Sequence, residues 1–392
     1  MTTKEAPLRD PETPMRATFL ELFFDLGFVF AFLQLSHALA EHLQWSGAFH
    51  ALVVLMALWR VWLVTIWITN RLDPDRLVLQ LLVLVALLAS LALATALPHT
   101  FTQDGVIFAC VYVAIQVGRP LFLLFLLGGS RAKGPAVRAL WSSGVAVVPW
   151  IAGGFAHGVA RSGLWALGVA VEYGVFALNL PLPWAGRTGP WEPPTSAEHL
   201  AERYRQLFII ALGELILASG KTFNDGRSHP TQMAAFAVSV VMTALFWRVY
   251  IFRAGEELPA AFKVASTPAR LGLGPIYVHL VMVAGIVVTA VGDQLFIAQP
   301  FGRTPLAWVL VILGGPVIFL AGRTGFAYVV FAKIFWHCLA AAAVLAAAIP
   351  LALVAPPLVA AVIATVVLLA VAIADAAREW SNPGEPRPPV TG

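Results

Sequence analysis

The sequence predicts an all-α integral membrane protein with about twelve transmembrane helices in two parallel six-helix repeats. Composition is the first indication, since 59% of the 392 residues are hydrophobic and only 12% are charged. The second is the recurrence of apolar runs of about 20 residues, the length that an α-helix needs to cross a bilayer. The third is a set of short motifs that recur in the same order in the two halves.

The predicted spans follow one another with short loops that contain Gly and Pro. Segment 1–18 is polar and has no signal-peptide cleavage pattern, so the first apolar run is expected to remain as a membrane helix. The spans are predicted at 19–40, 47–69, 77–97, 105–127, 136–156, 163–182, 204–220, 232–252, 274–297, 304–322, 326–349 and 354–375. They give a first repeat at 19–182, a linker at 183–203, a second repeat at 204–375 and a tail at 376–392.

The distribution of Lys and Arg predicts the orientation in the membrane. When loops are assigned alternately to two sides, most of these residues outside the spans fall on the side of the N-terminus. The exceptions are Arg161, Lys221, Arg227 and Arg303. By the positive-inside rule, both termini are expected in the cytoplasm of a bacterium, with the chain in its inner membrane.

Several classes of site and partner are not indicated. The net charge of +4 reflects loop asymmetry, so membrane lipid is the expected partner and nucleic acid is not. Cys110 and Cys338 lie in apolar runs, which favours packing over a disulfide or a metal site. A phosphate-binding glycine loop is absent from the sequence, and no cofactor is predicted. Oligomeric state cannot be deduced from these patterns.

Internal similarity predicts the two repeats. "ALWRVW" at 57–62 and "ALFWRVY" at 244–250 both lie in the second span of their half. "FFDLGFVFA" matches "IIALGELILA", and "GRPLFL" matches "GGPVIFL" with Pro120 opposite Pro316. Since six spans separate equivalent helices, the copies would have the same orientation. Chance similarity among apolar sequences is the alternative.

Ionisable side chains within the spans are the candidate functional residues. Each would cost roughly 2.5–3.5 kcal/mol if it faced lipid, so they are expected to face the interior of the bundle. Glycines such as Gly27 and Gly285 would allow the helices to pack closely. The charged residues are Glu21, Asp25, Arg60, Arg119, Glu172, Glu214 and Arg248.

Two charge pairs are predicted from depth in the membrane. At about 1.5 Å per residue, Asp25 and Arg60 lie roughly 9 and 13 Å from the cytoplasmic ends of their spans. The corresponding depths of Glu214 and Arg248 are roughly 15 and 6 Å. Because an Arg side chain covers several ångströms, Asp25 is expected to pair with Arg60 and Glu214 with Arg248.

Acidic residues outnumber arginines among these side chains, which suggests a proton or cation site. Glu21 and Asp25 are one helical turn apart on one face, and two such close carboxylates are not expected to be ionised together in the interior. Glu172 and Glu214 are further candidates, and Arg119 is a possible anion contact. The alternative is a purely structural network that holds helices together.

Histidines and one asparagine form a secondary set of polar candidates, namely His37, Asn70 and His279. His37, His42, His279 and His337 have no spacing typical of a metal or haem site, so no metal is predicted. For the histidines, polar contact between helices is the simpler interpretation.

Four stretches resemble the bacterial low temperature requirement protein A family. They are "LELFFDLGFVFAFLQLSHAL", "WITNRLDPDR", "HLAERYRQLFIIALGELILASG" and "YVHLVMVAGIVVTAVGDQL", within a resemblance that covers roughly residues 16–375. The resemblance implies a multi-pass bacterial inner-membrane protein and does not specify a reaction. Matching the family's motifs highlights Glu21, Phe23, Phe24, Asp25, Gln34, His37, Asn70, Arg71, Asp73, Glu202, Glu214 and His279.

Three functions remain open from the sequence. The leading hypothesis is a proton-coupled transporter of a small solute or ion that uses the buried carboxylates with Arg60 and Arg248 as partners. An integral membrane enzyme acting on a lipid or isoprenoid is the second, although no D-D-x-x-D site is present. A stress-linked membrane scaffold without turnover is the third.

Overall fold

The computed structural model describes residues 17–127, 134–178, 197–225, 229–251 and 268–381. Within these ranges the chain is almost entirely helical and contains no strand. It divides into two compact units, of which the first comprises Met1–Leu35 and Ala48–Leu200. The second comprises Ser36–Gly47 and Ala201–Gly392.

The described part of the first unit contains six helices and one short 3₁₀ turn at Leu97–His99. Only the first part of α1 belongs to it, because the unit boundary falls at Ser36. Helices α3 and α4, α4 and α5, and α5 and α6 pack against each other. The helices are α1 Phe19–Glu41, α2 Trp45–Arg71, α3 Leu77–Ala96, α4 Gly105–Leu127, α5 Gly134–Phe155 and α6 Gly158–Ala177.

Aromatic side chains form the core of α4, α5 and α6. Tyr112 and Trp150 have ring centroids 4.3 Å apart, and Trp150 lies 5.5 Å from Trp165. All three rings are buried. Large rings bury much apolar area with few rotatable bonds, which gives this unit a rigid centre.

Arg161 joins α6 to the end of α5 and to the loop after α3. Its Nε donates to the carbonyl oxygens of Gly153 and Ala156 at 3.2 and 2.9 Å. Nη1 donates to the carbonyl oxygens of Thr100 and Thr102 at 2.8 and 3.1 Å. The last carbonyls of a helix have no partner within it, so the guanidinium satisfies the end of α5 and fixes the connection to α6.

The second unit contains the remaining helices. Helix α10 ends where Ala332 adopts a left-handed conformation, with φ of 52°. Pro350 follows a break between α11 and α12, since its ring prevents a regular helix from continuing. The helices are α7 Ala197–Asp225, α8 Pro230–Tyr250, α9 Pro268–Ala298, α10 Leu306–Phe331, α11 Trp336–Ala347, α12 Ile349–Val354 and α13 Pro357–Ser381.

Helices α9 and α10 approach each other closely through glycines. A Cβ on Gly285 would lie 2.9 Å from the carbonyl oxygen of Gly315 and 2.5 Å from the amide nitrogen of Phe319. A Cβ on Gly315 would in turn meet the backbone of Thr289. The predicted packing role of Gly285 therefore follows from direct backbone contact.

The predicted all-helical membrane architecture is confirmed. Among the described residues, 11 helices are long and apolar enough to cross a membrane. Each predicted span except the sixth overlaps one of them, and the sixth overlaps α6. Segments 128–133, 179–196 and 382–392, with residues 1–16, lie outside the described residues, so most of the predicted linker and both terminal segments are not described.

The predicted boundary between the tenth and eleventh spans was wrong. The tenth span was predicted to end at 322 and the eleventh to begin at 326, but α10 continues to Phe331. Arg323 is fully buried, and its Nε donates to the carbonyl oxygen of Val249 at 3.2 Å, so the charge is accommodated within the helix bundle.

The internal repeat stays a prediction, and its best motif differs in environment between the copies. Trp59 is 1% exposed, whereas Trp247 is 47% exposed. Arg60 is buried, whereas Arg248 is only half-buried.

Candidate functional site

The charged residues predicted to avoid lipid are almost all buried within their units. Arg248 is half-buried in the last turn of α8. The other six are each at most 3% exposed, namely Glu21, Asp25, Arg60, Arg119, Glu172 and Glu214. Burying a charged group without partners is costly, so each of these side chains requires hydrogen bonds or an ion pair.

Glu172 lies at the centre of a polar cluster in the first unit. Tyr112 donates a 2.6 Å hydrogen bond to Glu172 Oε2, and Gln116 donates to the Tyr112 hydroxyl at 3.2 Å. Arg60 Nε is 3.9 Å from Glu172 Oε1, and Arg60 Nη2 donates to Ser142 at 2.9 Å. The carboxylate on α6 thus has a positive partner on α2 that the sequence did not predict.

Arg119 connects α4 to α2 through backbone and side-chain oxygens. Its Nε donates to the carbonyl oxygen of Ile115, and Nη1 donates to the carbonyl oxygen of Val61 and to Thr65. Nη2 donates to Gln116 Oε1. Because most of the five N–H groups of the guanidinium are used in this way, the geometry favours a structural role over the predicted anion contact.

Glu21 belongs to a separate buried group. His199 Nε2 lies 2.9 Å from Glu21 Oε1, and Asn70 Nδ2 lies 3.0 Å from His199 Nδ1. Thr18 donates its amide and hydroxyl to Glu21 Oε2 at 2.8 and 3.1 Å. If the Asn70 amide donates, His199 Nδ1 accepts and its Nε2–H donates to Glu21. The predicted candidates Glu21 and Asn70 therefore meet through a histidine that sequence reasoning missed.

Asp25 accepts a 3.0 Å hydrogen bond from the indole N–H of Trp62, one helix away. The pair of Asp25 with Arg60 stays a prediction. The pair of Glu214 with Arg248 was wrong, since the described bonding partner of Glu214 is Ser36. The expected depths of Glu214 and Arg248 already differed by roughly 9 Å.

Glu214 is fully buried on α7 and has a neutral donor. The hydroxyl of Ser36, on α1, donates to Glu214 Oε1 at 2.7 Å, and Gln294 Nε2 donates weakly to Ser36 at 3.5 Å. Among the described residues, Glu214 Oε2 has no hydrogen-bond partner.

Asp293, on α9, has a matching arrangement and was missed by sequence reasoning. Ser219 of α7 donates to Asp293 Oδ2 at 3.2 Å, and Ser239 of α8 donates to the same oxygen. The two hydroxyl oxygens are 2.8 Å apart. Asp293 Oδ1 has no hydrogen-bond partner in the described part of the chain. A signal was present, because Asp293 lies inside the predicted ninth span.

Glu214 and Asp293 belong to one polar region of the second unit, which we call the α7–α9 carboxylate site. It consists of Glu214, Asp293 and the side chains bonded to them, Ser36, Ser219, Ser239 and Gln294. Hydrogen bonds connect the two carboxylates: Ser219, on the same helix as Glu214, donates to Asp293. Gln294, next to Asp293 on α9, donates to Ser36, which donates to Glu214. Within the described residues, neither carboxylate bonds to a Lys, Arg or His side chain.

The predicted histidines have different environments. His279 is buried, and its Nδ1 lies 2.6 Å from the carbonyl oxygen of Pro275. Since a carbonyl only accepts, Nδ1 carries the proton and Nε2 accepts from the Tyr250 hydroxyl at 3.1 Å. His37 is partly exposed and lies 3.6 Å from Glu41. No group of three or more metal-ligating side chains occurs among the described residues.

One further buried pair was missed. His337 Nε2 lies 2.9 Å from Asp375 Oδ1, joining the start of α11 to α13. Asp375 lies just inside the end of the last predicted span, where the sequence does not distinguish a buried carboxylate from an interfacial one.

Two comparisons with known proteins found matches to this chain. The family model described as bacterial low temperature requirement A protein matches residues 16–373. An uncharacterised protein of Rhizobium meliloti (strain 1021) is 34% identical over 318 residues, which are 78% of this chain and 76% of that protein. No solved structure matches the chain.

Proposed function

The chain belongs to the bacterial low temperature requirement A protein family, and we propose that it is a secondary transporter of a small solute or ion. The observation that carries the proposal is the α7–α9 carboxylate site. There, two fully buried carboxylates on membrane-length helices each have one oxygen bonded by serine and one without a described partner.

The cost of burial supports a functional role for this site. An acidic residue within a membrane span costs roughly 2.5–3.5 kcal/mol on insertion scales, and a buried polar atom without a partner adds about 1–3 kcal/mol. Neither Glu214 nor Asp293 recovers this cost through a described ion pair. A transported or coupling species that binds there and leaves again accounts for oxygens that the protein itself does not satisfy.

The charged groups of the first unit contrast with this site. Glu172 accepts a hydrogen bond from Tyr112 and faces Arg60, while the Arg119 guanidinium donates to backbone and side-chain oxygens. We assign these groups to holding helices together. Protonation of Glu214 and Asp293 would accompany transport, since each can exchange a proton without breaking an ion pair.

The proposed setting is the bacterial inner membrane with both termini in the cytoplasm. The Lys and Arg asymmetry of the loops supports this orientation. Membrane lipid surrounds the helices, and the substrate is a small solute or ion.

Flux through purified protein tests the transport proposal. The protein is reconstituted in liposomes that contain a pH-sensitive dye, and ions and small metabolites are added one at a time. We expect a solute-dependent proton flux that Glu214→Gln and Asp293→Asn abolish. Asp375→Asn is the matched control, because it neutralises another buried carboxylate of the same unit that is bonded to His337.

Two results would reject the proposal. One is the absence of flux with every added species. The other is unchanged flux in both Glu214→Gln and Asp293→Asn. Variants that change only thermal stability would instead favour the scaffold hypothesis.

A further inference from the structure

We propose that the α7–α9 carboxylate site binds an alkali cation of the Na⁺ class between the free oxygens of Glu214 and Asp293. This inference names the ion and rests on the proposed function for its role in transport. Its evidence is the donor set and, among the described residues, two carboxylate oxygens without hydrogen-bond partners and no Lys, Arg or His side chain bonded to either carboxylate.

Protonation alone does not satisfy the site. An ionised carboxylate oxygen requires a donor or a cation, and a protonated one requires an acceptor for its O–H. Glu214 Oε2 and Asp293 Oδ1 have neither a donor nor an acceptor within hydrogen-bond distance among the described residues. A bound cation satisfies both oxygens directly.

The other ligands available are oxygens. Ser36, Ser219 and Ser239 are each at most 1% exposed, and their hydroxyls already lie on the bonded oxygens of the two carboxylates. Each hydroxyl has lone pairs left for a cation after it donates. Carboxylate and hydroxyl oxygens are hard ligands, which suit hard cations and not soft transition metals.

The number of charged ligands favours a monovalent ion. The described residues contain no group of three or more Asp, Glu, His or Cys side chains that could hold a metal ion. Two ionised carboxylates would be neutralised by one alkali cation and one proton. This stoichiometry would link cation binding to proton release at the same site.

The helices place the ligands on separate elements that can move apart. Glu214 and Ser219 lie on α7, Asp293 on α9, Ser239 on α8 and Ser36 on α1. A cation held between carboxylates on two helices would draw those helices together. Its loss would remove the bridge between the two carboxylates, which favours separation.

Cation-dependent stability of the purified full-length protein tests the inference. Thermal unfolding is measured in detergent at fixed pH, with NaCl replaced by choline chloride at constant ionic strength. A ligand that binds only the folded state raises Tm with concentration. We expect a saturable rise in Tm with Na⁺, and an apparent affinity about tenfold to a hundredfold weaker in Asp293→Asn and Glu214→Gln. Asp375→Asn should keep the wild-type affinity.

Parallel titrations with KCl, MgCl₂ and CaCl₂ identify the class of ion. A response confined to Mg²⁺ or Ca²⁺ would overturn the assignment to an alkali cation. No Na⁺-specific response in the wild type, or an undiminished response in Asp293→Asn, would overturn the site. If Glu214→Gln and Asp293→Asn do not fold, Ser219→Ala and Ser239→Ala replace them in the same titration, and both should weaken the apparent Na⁺ affinity.

The result separates the two proposals. Na⁺ binding without flux would support the cation site and reject the transport proposal. Flux that does not respond to Na⁺, in protein whose Tm does not depend on Na⁺, would support transport and reject the cation site.

Discussion

The hydroxyl of Ser36 donates a 2.7 Å hydrogen bond to Glu214, a residue 178 positions later in the chain. Both side chains are fully buried. This contact places a residue from the end of the first membrane helix in the α7–α9 carboxylate site. The site therefore depends on α1 as well as on the helices of the second half.

Replacing Ser36 by Ala should impair the site. The change removes the described donor to Glu214, and we expect unfolding free energy to fall by about 1–3 kcal/mol. Solute-dependent flux should fall at least several-fold. Ser90→Ala is the control, because Ser90 is equally buried and its hydrogen bond among the described residues goes to the carbonyl oxygen of Ala86 in its own helix. Equal effects of the two changes on flux would show that Ser36 does not act through Glu214.

Two neighbouring tryptophans allow a test of the hydrogen bond to Asp25. Trp62 donates to Asp25, whereas the indole nitrogen of Trp59 has no hydrogen-bond partner among the described residues. Both rings are at most 1% exposed. Trp62→Phe should destabilise the protein by about 1–3 kcal/mol more than Trp59→Phe, measured by thermal unfolding in detergent. Indistinguishable losses would mean that packing alone explains both effects.

The Arg60 and Glu172 side chains should show energetic coupling. Removing one partner of a buried pair leaves an uncompensated charge, so Glu172→Gln should cost about 3–5 kcal/mol. Adding Arg60→Met should recover part of this loss, because the double variant leaves neither charge. A double-mutant cycle of unfolding free energies measures the coupling. Strict additivity would contradict an interaction across their 3.9 Å separation.

Close packing of α9 on α10 predicts different costs at two adjacent glycines. A Cβ at Gly315 would meet the backbone of Thr289, whereas a Cβ at Gly314 would have nothing within 4 Å. Gly315→Ala should lower stability by about 1–3 kcal/mol through overpacking. Gly314→Ala should be neutral or slightly stabilising, since Ala favours the helix. Thermal unfolding of both variants tests this, and a Gly314→Ala loss as large as that of Gly315→Ala would contradict it.

Much of the helical architecture could be predicted from sequence because hydropathy depends on local composition. The exception at α10 has a tertiary cause. Arg323 resembles a loop residue in the sequence, and its bond to Val249 becomes evident only once α8 and α10 are packed. Local patterns cannot distinguish a charge in a loop from one that another helix satisfies.

The burial of the charged residues was predictable, and their partners were not. The cost of charge in lipid requires Glu172 and Glu214 to face inward. Which donor each one meets depends on helix rotation and register, which brought Tyr112 to Glu172 and Ser36 to Glu214. Asp293 satisfied the same sequence criterion as Glu214 and could have been included from the start.

The carbonyl contacts of Arg161 have a consequence for orientation. Its charge is buried at the end of α5 and bonded to backbone oxygens. It therefore cannot interact with lipid headgroups as an exposed loop arginine does. On the predicted topology, three other cations, Lys221, Arg227 and Arg303, lie on the minority side, so few exposed loop charges there would oppose the predicted orientation.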